Sequence, residues 1–185
     1  MNPDRLIEKW YGSHPTARRY LLMHSRAVAD FALRIADRSE LVLDRTFIEE
    51  AALLHDVGII GTDAPDIGCH GTEPYIAHGI IGARMLAGEG LARHARVCEC
   101  HVGLGLFAQD IEEQRLPLPC RDMVPATHEE RIVCLADKFF SKGAPDLRVP
   151  LSMAEVRRRA AAWGQRSRDT LEAWTAEYFP NGPPE

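Results

Sequence analysis

The chain has 185 residues, 45% of them hydrophobic, and a formal net charge of −5, values that suit one ordinary globular domain. No apolar run approaches the roughly 20 residues that a membrane-spanning helix needs. The acidic balance disfavours binding to a nucleic-acid polymer, because phosphate backbones are gripped by fields of lysine and arginine. The N-terminal residues are mixed in charge and unlike a secretory signal, so we expect a cytoplasmic protein without a membrane partner.

Helical periodicity dominates the chain, and no segment shows convincing strand alternation, so an all-α fold is predicted. One helical face near the N-terminus carries Leu21, His24, Val28, Phe31 and Ile35 at three- and four-residue steps. Three helix starts are indicated by capping boxes, in which a hydroxyl and a glutamate satisfy two orphan N–H groups: Thr46 with Glu49, Thr127 with Glu130, and Ser152 with Glu155. The predicted helices lie near 3–10, 16–38, 46–57, 75–88, 90–102, 127–142 and 152–178.

Two longer segments, 58–74 and 103–126, are predicted to be irregular. Long ordered loops in compact domains are often lids or pocket walls. The last helix carries apolar residues along its length and is expected to pack either on the core or on a second subunit, so a homodimer is a possible assembly. We expect residues 1–185 to form a single domain with its core at about 20–142.

The stretch "LLHDVGIIGTD" places a histidine and an aspartate side by side behind an apolar run. Neighbouring side chains on a straight helix point about 100° apart, so His55 and Asp56 converge only where the helix ends. Gly58 and Gly61 favour such an end, since glycine often stops a helix in a left-handed conformation. Imidazole nitrogen and carboxylate oxygen are both metal ligands, and a divalent ion would offset the cost of burying them.

Further candidate ligands lie on other predicted helices in apolar surroundings. Taken singly, each histidine is more simply a hydrogen-bonded core residue and each aspartate a member of a polar network. Their joint occurrence favours a metal site, and Asp137 is the most telling because it interrupts an apolar helical face. The candidates beside the His-Asp pair are His24, His78, His101 and Asp137.

The order His24, His55-Asp56 and Asp137, with "LLHDVG" and "CLADK", resembles the HD superfamily of metal-dependent phosphohydrolases, specifically its HDIG-type members. The resemblance covers about residues 20–142. It implies an HD-domain helical bundle and an enzyme that hydrolyses phosphate esters or anhydrides.

The segments "HGIIGARML" and "CHVGLG" resemble the members that hold two metals, among them the bacterial HD hydrolases that split diadenosine tetraphosphate. That resemblance implies two divalent ions, iron, manganese or similar, with His55 and Asp56 at the catalytic centre. The first ion would be held by His24, His55, Asp56 and Asp137, and the second by Asp56 as a bridge together with His78 and His101.

Two departures from the family pattern bear on the substrate. The cyclic-dinucleotide phosphodiesterases, a second group of two-metal members, carry paired histidines and a Gly-Tyr-Pro signature where this chain has His101-Val102 and "GLGLF", so that branch is disfavoured. Ile59 stands where many members carry a lysine. Substitutes for its phosphate contact are Lys138 and Arg84, each of which is more simply a solvated charge, and His94 is a further candidate to face substrate.

The leading hypothesis is a metal-dependent phosphohydrolase that uses a metal-activated hydroxide. Its substrate would be a phosphomonoester or phosphoanhydride of a nucleotide or a similar small phosphorylated metabolite. The alternatives are a regulatory HD module that binds a nucleotide without turnover, and a purely structural metal site, which would have a closed coordination shell.

Overall fold

The computed structural model describes residues 1–141, 143, 146–180 and 182–184. Its regular secondary structure is almost entirely helical, and the all-α prediction is confirmed. Two strands of two residues each, β1 (Asp63–Ala64) and β2 (Cys69–His70), pair antiparallel within the first irregular segment. The α-helices are α1 (Pro3–Tyr11), α2 (Pro15–Arg38), α3 (Arg45–Leu54), α4 (His78–Gly88), α5 (Ala92–Cys100), α6 (Ala108–Glu113), α7 (His128–Asp137), α8 (Met153–Ala162) and α9 (Gln165–Tyr178).

Two of the three predicted helix caps are confirmed. The Thr127 hydroxyl accepts from the Glu130 N–H at 3.2 Å, and the Ser152 hydroxyl accepts from the Glu155 N–H at 3.3 Å. The prediction for α3 is wrong, because the carboxylate of Asp44 caps this helix and accepts from the Phe47 N–H at 3.0 Å. Aspartate satisfies the same orphan donors as a hydroxyl and also suits the positive end of the helix dipole.

The largest differences from the predicted helices lie in the C-terminal half of the chain. Helix α7 ends at Asp137, well before residue 142, which itself lies outside the described residues. The predicted last helix is two helices, α8 and α9, separated at Gly164, whose φ of 109° cannot continue a right-handed helix. Helix α6 lies in the segment predicted to be irregular, and its six residues are too few to show a helical period in sequence.

The core is arranged around α2, which contributes to two hydrophobic clusters. All five residues of its predicted apolar face are at most 1% exposed. Helices α8 and α9 pack on one of these clusters through Val156, Ala160, Leu171 and Trp174, so the C-terminal helices cover the chain's own core. Among the described residues, no helix combines the length and apolar character that crossing a bilayer requires.

Candidate metal centre

The adjacent His55 and Asp56 lie where the chain leaves α3. Leu54 is the last residue of that helix, and Asp56, with φ −107° and ψ 8°, precedes a 3₁₀ turn over Val57–Gly61. Both side chains are fully buried. The prediction that the pair stands at a helix end is confirmed, and this departure from helical geometry lets the two side chains converge.

The predicted role of the two glycines is wrong, because neither Gly58 nor Gly61 has a positive φ. Gly58 instead allows close contact between two backbones. A Cβ built on it would meet the carbonyl oxygen of His78 and the N–H of Gly82 far inside the 3.0 Å that real Cβ contacts respect. The missing side chain therefore brings the His-Asp turn directly against the first turn of α4, where His78 begins the helix.

The first group of side chains draws on α2, the end of α3 and the end of α7. The Nε2 atom of His24 lies 2.9 Å from Oδ1 of Asp137 and 3.2 Å from Oδ2 of Asp56. The Nε2 atom of His55 lies 3.2 Å from the same Asp56 oxygen and 3.3 Å from the same Asp137 oxygen. Two imidazole nitrogens and two carboxylate oxygens thus surround one point, a donor set suited to a divalent transition metal.

The second group is built on the other oxygen of Asp56. Its Oδ1 atom lies 3.3 Å from Nε2 of His78 and 3.5 Å from Nε2 of His101. The two imidazole nitrogens are 3.0 Å apart. Asp56 therefore turns one carboxylate oxygen toward each group, which is the arrangement of a carboxylate that bridges two metal ions. The structure brings together all six residues predicted as ligands.

Backbone carbonyls hold three of the imidazole rings in one orientation. The Nδ1–H of His55 donates to the Ala52 carbonyl at 2.6 Å, that of His78 to Tyr75 at 2.6 Å, and that of His101 to Cys98 at 2.8 Å. Since a carbonyl can only accept, the neutral rings carry their proton on Nδ1 and present the Nε2 lone pair to the centre. Such anchoring of the distal nitrogen is characteristic of metal-ligating histidines.

The imidazoles and carboxylates of the cluster are close enough to shift one another's pKa values. Burial lowers the pKa of His55, but Asp56 and Asp137 outweigh it and raise that pKa to about 9. The pKa of His101 is lowered, chiefly by burial. Burial opposes ionisation of Asp137, yet the Lys138 ammonium, 2.7 Å from Oδ2, and the two neighbouring imidazoles hold the pKa of this carboxyl well below its usual range. Asp137 is therefore an ionised carboxylate at neutral pH.

These residues fit a divalent cation on their own geometry. The Nε2 of His55 is buried and makes no hydrogen bond to any described residue, although two carboxylate oxygens lie within 3.3 Å. A nitrogen held this way is costly to leave unsatisfied. Nitrogen and oxygen donors without a thiolate suit iron, manganese or zinc, and the carboxylates also suit magnesium.

A cavity of about 390 Å³ opens onto the cluster. Lys138 lines this cavity, as predicted for a substrate-binding residue. Arg84 does not line it and lies on the exposed side of α4. His94 does not line it either, because its ring packs on Phe47 at 5.0 Å and faces Glu50. Of the three residues predicted to contact substrate, Lys138 alone is among the described residues that line this cavity.

Sequence reasoning missed the residues that α8 and α9 contribute to this cavity. Arg159, Trp163 and Ser167 all line it. Their spacing of four residues places the first two on one helical face, which is visible in sequence. Apolar residues share that face, which the sequence predicts to pack either on the core or on a second subunit, and only the folded chain shows that it reaches the cavity.

Comparison with protein families gives a match to the HD domain over residues 21–141. The chain belongs to the HD-domain family. The matched range contains the whole candidate metal centre of this HD domain, from His24 to Asp137, and ends before α8. The closer resemblance to the diadenosine tetraphosphate hydrolases stays a prediction.

Among curated proteins, the HD domain is similar to two enzymes named tRNA (cytidine(56)-2'-O)-methyltransferase. That of Picrophilus torridus is 35% identical over 122 residues, 65% of this chain and 31% of the relative. That of Thermoplasma volcanium is 33% identical over 126 residues, 68% and 33% respectively. An uncharacterized protein of Methanocaldococcus jannaschii is 33% identical over 63% of this chain and 64% of its own. The chain thus spans about a third of the two methyltransferases.

Among solved structures, the HD domain of the phosphodiesterase PgpH from L. monocytogenes superposes with a TM-score of 0.52. The alignment covers 93% of this chain and 87% of that one at 14% sequence identity. At this identity the match establishes the shared fold. The aligned share of this chain is larger than the range 21–141, so the structural match extends beyond the residues that match the family in sequence.

Proposed function

We propose that this HD domain is a metal-dependent phosphohydrolase that cleaves a phosphomonoester or phosphoanhydride of a nucleotide or a similar small phosphorylated metabolite. The observation that carries the proposal is the division of the Asp56 carboxylate between two groups of donors. A structural site has no need of a second group that opens onto a cavity. His78, His101 and Asp137 line that cavity together with Asp56.

The six candidate ligands would hold two metal ions, and these ions would fix the position of the reacting phosphate. His24, His55, Asp56 and Asp137 would hold one ion, and Asp56, His78 and His101 a second. When bound, two divalent ions would supply an activated water and neutralise the charge that develops on the phosphoryl oxygens. The carbonyl-anchored histidines keep their Nε2 lone pairs directed inward, so little reorganisation is needed.

Lys138 has two roles in this proposal. Its ammonium contacts Asp137 at 2.7 Å and orients that carboxylate. It also lines the cavity, where its positive charge attracts a phosphate group. Ile59, at the position of the family lysine, is fully buried in an apolar cluster and has no access to a ligand. In this proposal Lys138, at the end of α7, supplies the phosphate contact that the family lysine makes from the position of Ile59.

The names of the two methyltransferases point to RNA as a partner of those proteins. This stands against our expectation that no nucleic-acid polymer is involved. We favour a small substrate because the cavity is about 390 Å³, near the lower end for small-molecule sites, and the chain is acidic overall. RNA oligonucleotides belong in the substrate panel as the competing class.

The test combines metal content with hydrolysis. The protein is purified without chelator, its iron, manganese and zinc are measured, and it is assayed with nucleoside mono-, di- and triphosphates, dinucleoside polyphosphates, sugar phosphates and short RNA. We expect about two ions per chain and release of phosphate or a nucleotide. Asp56→Asn should abolish turnover, whereas Asp66→Asn, which changes an exposed carboxylate outside the site, should not.

Two results would contradict the proposal. Full activity of Asp56→Asn would remove the bridging carboxylate from the mechanism. Two bound ions without turnover of any member of the panel would favour the alternative, a regulatory HD module that binds its ligand without hydrolysis. A single ion per chain would leave a mononuclear HD site and remove the second group from the mechanism.

A further inference from the structure

Two chemically different groups of residues line the cavity beside the metal centre. One group consists of the metal-ligating side chains of Asp56, His78, His101 and Asp137. The other is a wall formed by α8 and the residue that ends it. The residues of this wall are Val156, Arg159, Ala160 and Trp163. A ligand that contacts both groups therefore combines a phosphate with an apolar group.

The wall is one face of a single helix. Val156, Ala160 and Trp163 follow one another at four- and three-residue steps, and Arg159 lies beside them. Trp163 gives the wall a large flat surface, and Arg159 is its only cation among the residues described as lining the cavity from α8. The Nε–H of Arg159 donates to the Glu155 carboxylate at 2.7 Å, and this hydrogen bond holds the Arg159 side chain against α8.

The segment that follows His101 ties this wall to the metal centre. Gly103, Leu104 and Gly105 have φ values of 66°, 75° and 90°, an unusual run that includes a non-glycine residue. A Cβ on Gly103 would lie 3.3 Å from the Trp163 ring, and the Ser167 hydroxyl donates to the Gly103 carbonyl at 3.0 Å. The Trp163 indole thus packs directly on Gly103, which follows the metal ligand His101 by two residues in the sequence.

We propose that Trp163 and Arg159 form the nucleoside subsite of this enzyme, so that a planar base stacks on the indole while its phosphate lies at the metal centre. The substrate class is a nucleoside 5′-phosphate. This inference rests on the proposed function and adds what selects the substrate. It places recognition on α8, outside the residues that match the family.

The chemistry of the wall discriminates between a base and a sugar. A nucleoside 5′-phosphate and ribose 5-phosphate share the ribose hydroxyls and the phosphate, so the group that the wall can distinguish is the base, which replaces one hydroxyl that would need a polar partner. The wall offers the apolar Val156 and Ala160, the Trp163 indole and one charged group, the Arg159 guanidinium, and the Ser167 hydroxyl is engaged with the Gly103 carbonyl. Base stacking on an aromatic ring needs no such partner, and a guanidinium beside the ring adds attraction for the base or its phosphate.

Each residue of the subsite can be tested against a matched control variant. Arg158 and Arg159 both bind the carboxylate of Glu155, but only Arg159 lines the cavity. Arg158→Gln therefore reproduces the lost ion pair without touching the subsite. At Trp163, replacement by Phe keeps an aromatic face, whereas replacement by Leu keeps apolar bulk alone, so the two variants separate stacking from packing.

The experiment measures kcat and KM for AMP and for ribose 5-phosphate, together with quenching of tryptophan fluorescence by AMP in the metal-loaded protein. We expect KM for AMP to rise about 5- to 150-fold in Trp163→Leu, with KM for ribose 5-phosphate unchanged. Arg159→Gln should raise KM for AMP about tenfold, while Arg158→Gln should match the wild type. Trp163→Phe should keep the preference for AMP and lose the quenching.

The inference is overturned if the wild type does not prefer AMP to ribose 5-phosphate, or if Trp163→Leu and Trp163→Phe behave alike. It is also overturned if AMP fails to quench fluorescence through Trp163. Failure of the proposed function gives a different result, because quenching that depends on Trp163 would persist without hydrolysis. Thermal unfolding and metal content of each variant show whether a kinetic loss reflects a damaged fold.

Discussion

The contact between the His-Asp turn and α4 makes Gly58→Ala a sharp test of how the fold assembles the centre. The added methyl group would lie about 1 Å inside the 3.0 Å minimum from the backbone of His78 and Gly82, and backbone atoms cannot rotate away. The turn and the helix must therefore separate by about 1 Å. Overpacking of this kind costs typically about 1–3 kcal/mol of unfolding free energy.

The same displacement has a predictable effect on the site. It carries His78 away from Asp56, whose Oδ1 lies 3.3 Å from the imidazole Nε2, while His24 and Asp137 stay in place on α2 and α7. We expect Gly58→Ala to lose one of two ions and to keep the other. A misplacement of this size at a reacting centre lowers turnover by up to about 100-fold.

Urea unfolding, metal content and turnover are measured for Gly58→Ala and for Gly88→Ala. Gly88 is the last residue of α4, the helix that Gly58 contacts, and no atom lies within 4 Å of a Cβ added to it. Gly88→Ala should therefore be as stable as the wild type or up to about 1 kcal/mol more stable. An unfolding midpoint and metal content equal to those of the wild type in Gly58→Ala would refute the argument from close backbone contact.

Three further predictions address protonation, metal and strain. Metal binding should tighten as pH rises toward 9, because His55, whose pKa is raised to about 9, must lose its proton to bind metal. Calorimetry in buffers of different ionisation enthalpy should show this proton release. A metal affinity that does not depend on pH would contradict the prediction. The metal-loaded protein, at a free metal concentration about 100 times Kd, should have an unfolding midpoint roughly 5–10 °C above that of the protein stripped of metal by a chelator. An unchanged midpoint would contradict the presence of a metal site. Arg115→Gly should raise the unfolding free energy by about 0.5–1 kcal/mol in a urea titration, because Arg115 is exposed, has a φ of 51° and follows the end of α6.

The candidate ligands could be selected from sequence because burial makes them conspicuous. A histidine or aspartate inside an apolar helical face is costly unless something compensates for it, and six such residues in one chain have few common explanations. Their side chains do converge, from α2, α3, α4, α5 and α7. Lys138 could be named because it adjoins Asp137, whereas Arg84 and His94 were chosen from helical spacing alone and lie elsewhere.

Other features depend on contacts between segments far apart in the chain. Spacing in sequence does not show that Gly58 meets α4 rather than ending a helix, since both roles require the absence of a side chain. Nor does it show which oxygen of Asp56 faces which histidines, because that depends on how α3 and α4 pack.

The sequence by itself determined the all-α class, the positions of most helices and the identity of the six candidate ligands, since helical period, capping and the cost of burying polar groups act locally or residue by residue. The tertiary structure decided that the ligands divide into two groups around one carboxylate, and that α8 brings Trp163 and Arg159 to the cavity. These are long-range relations set by packing, which a one-dimensional pattern of apolar and polar residues does not encode.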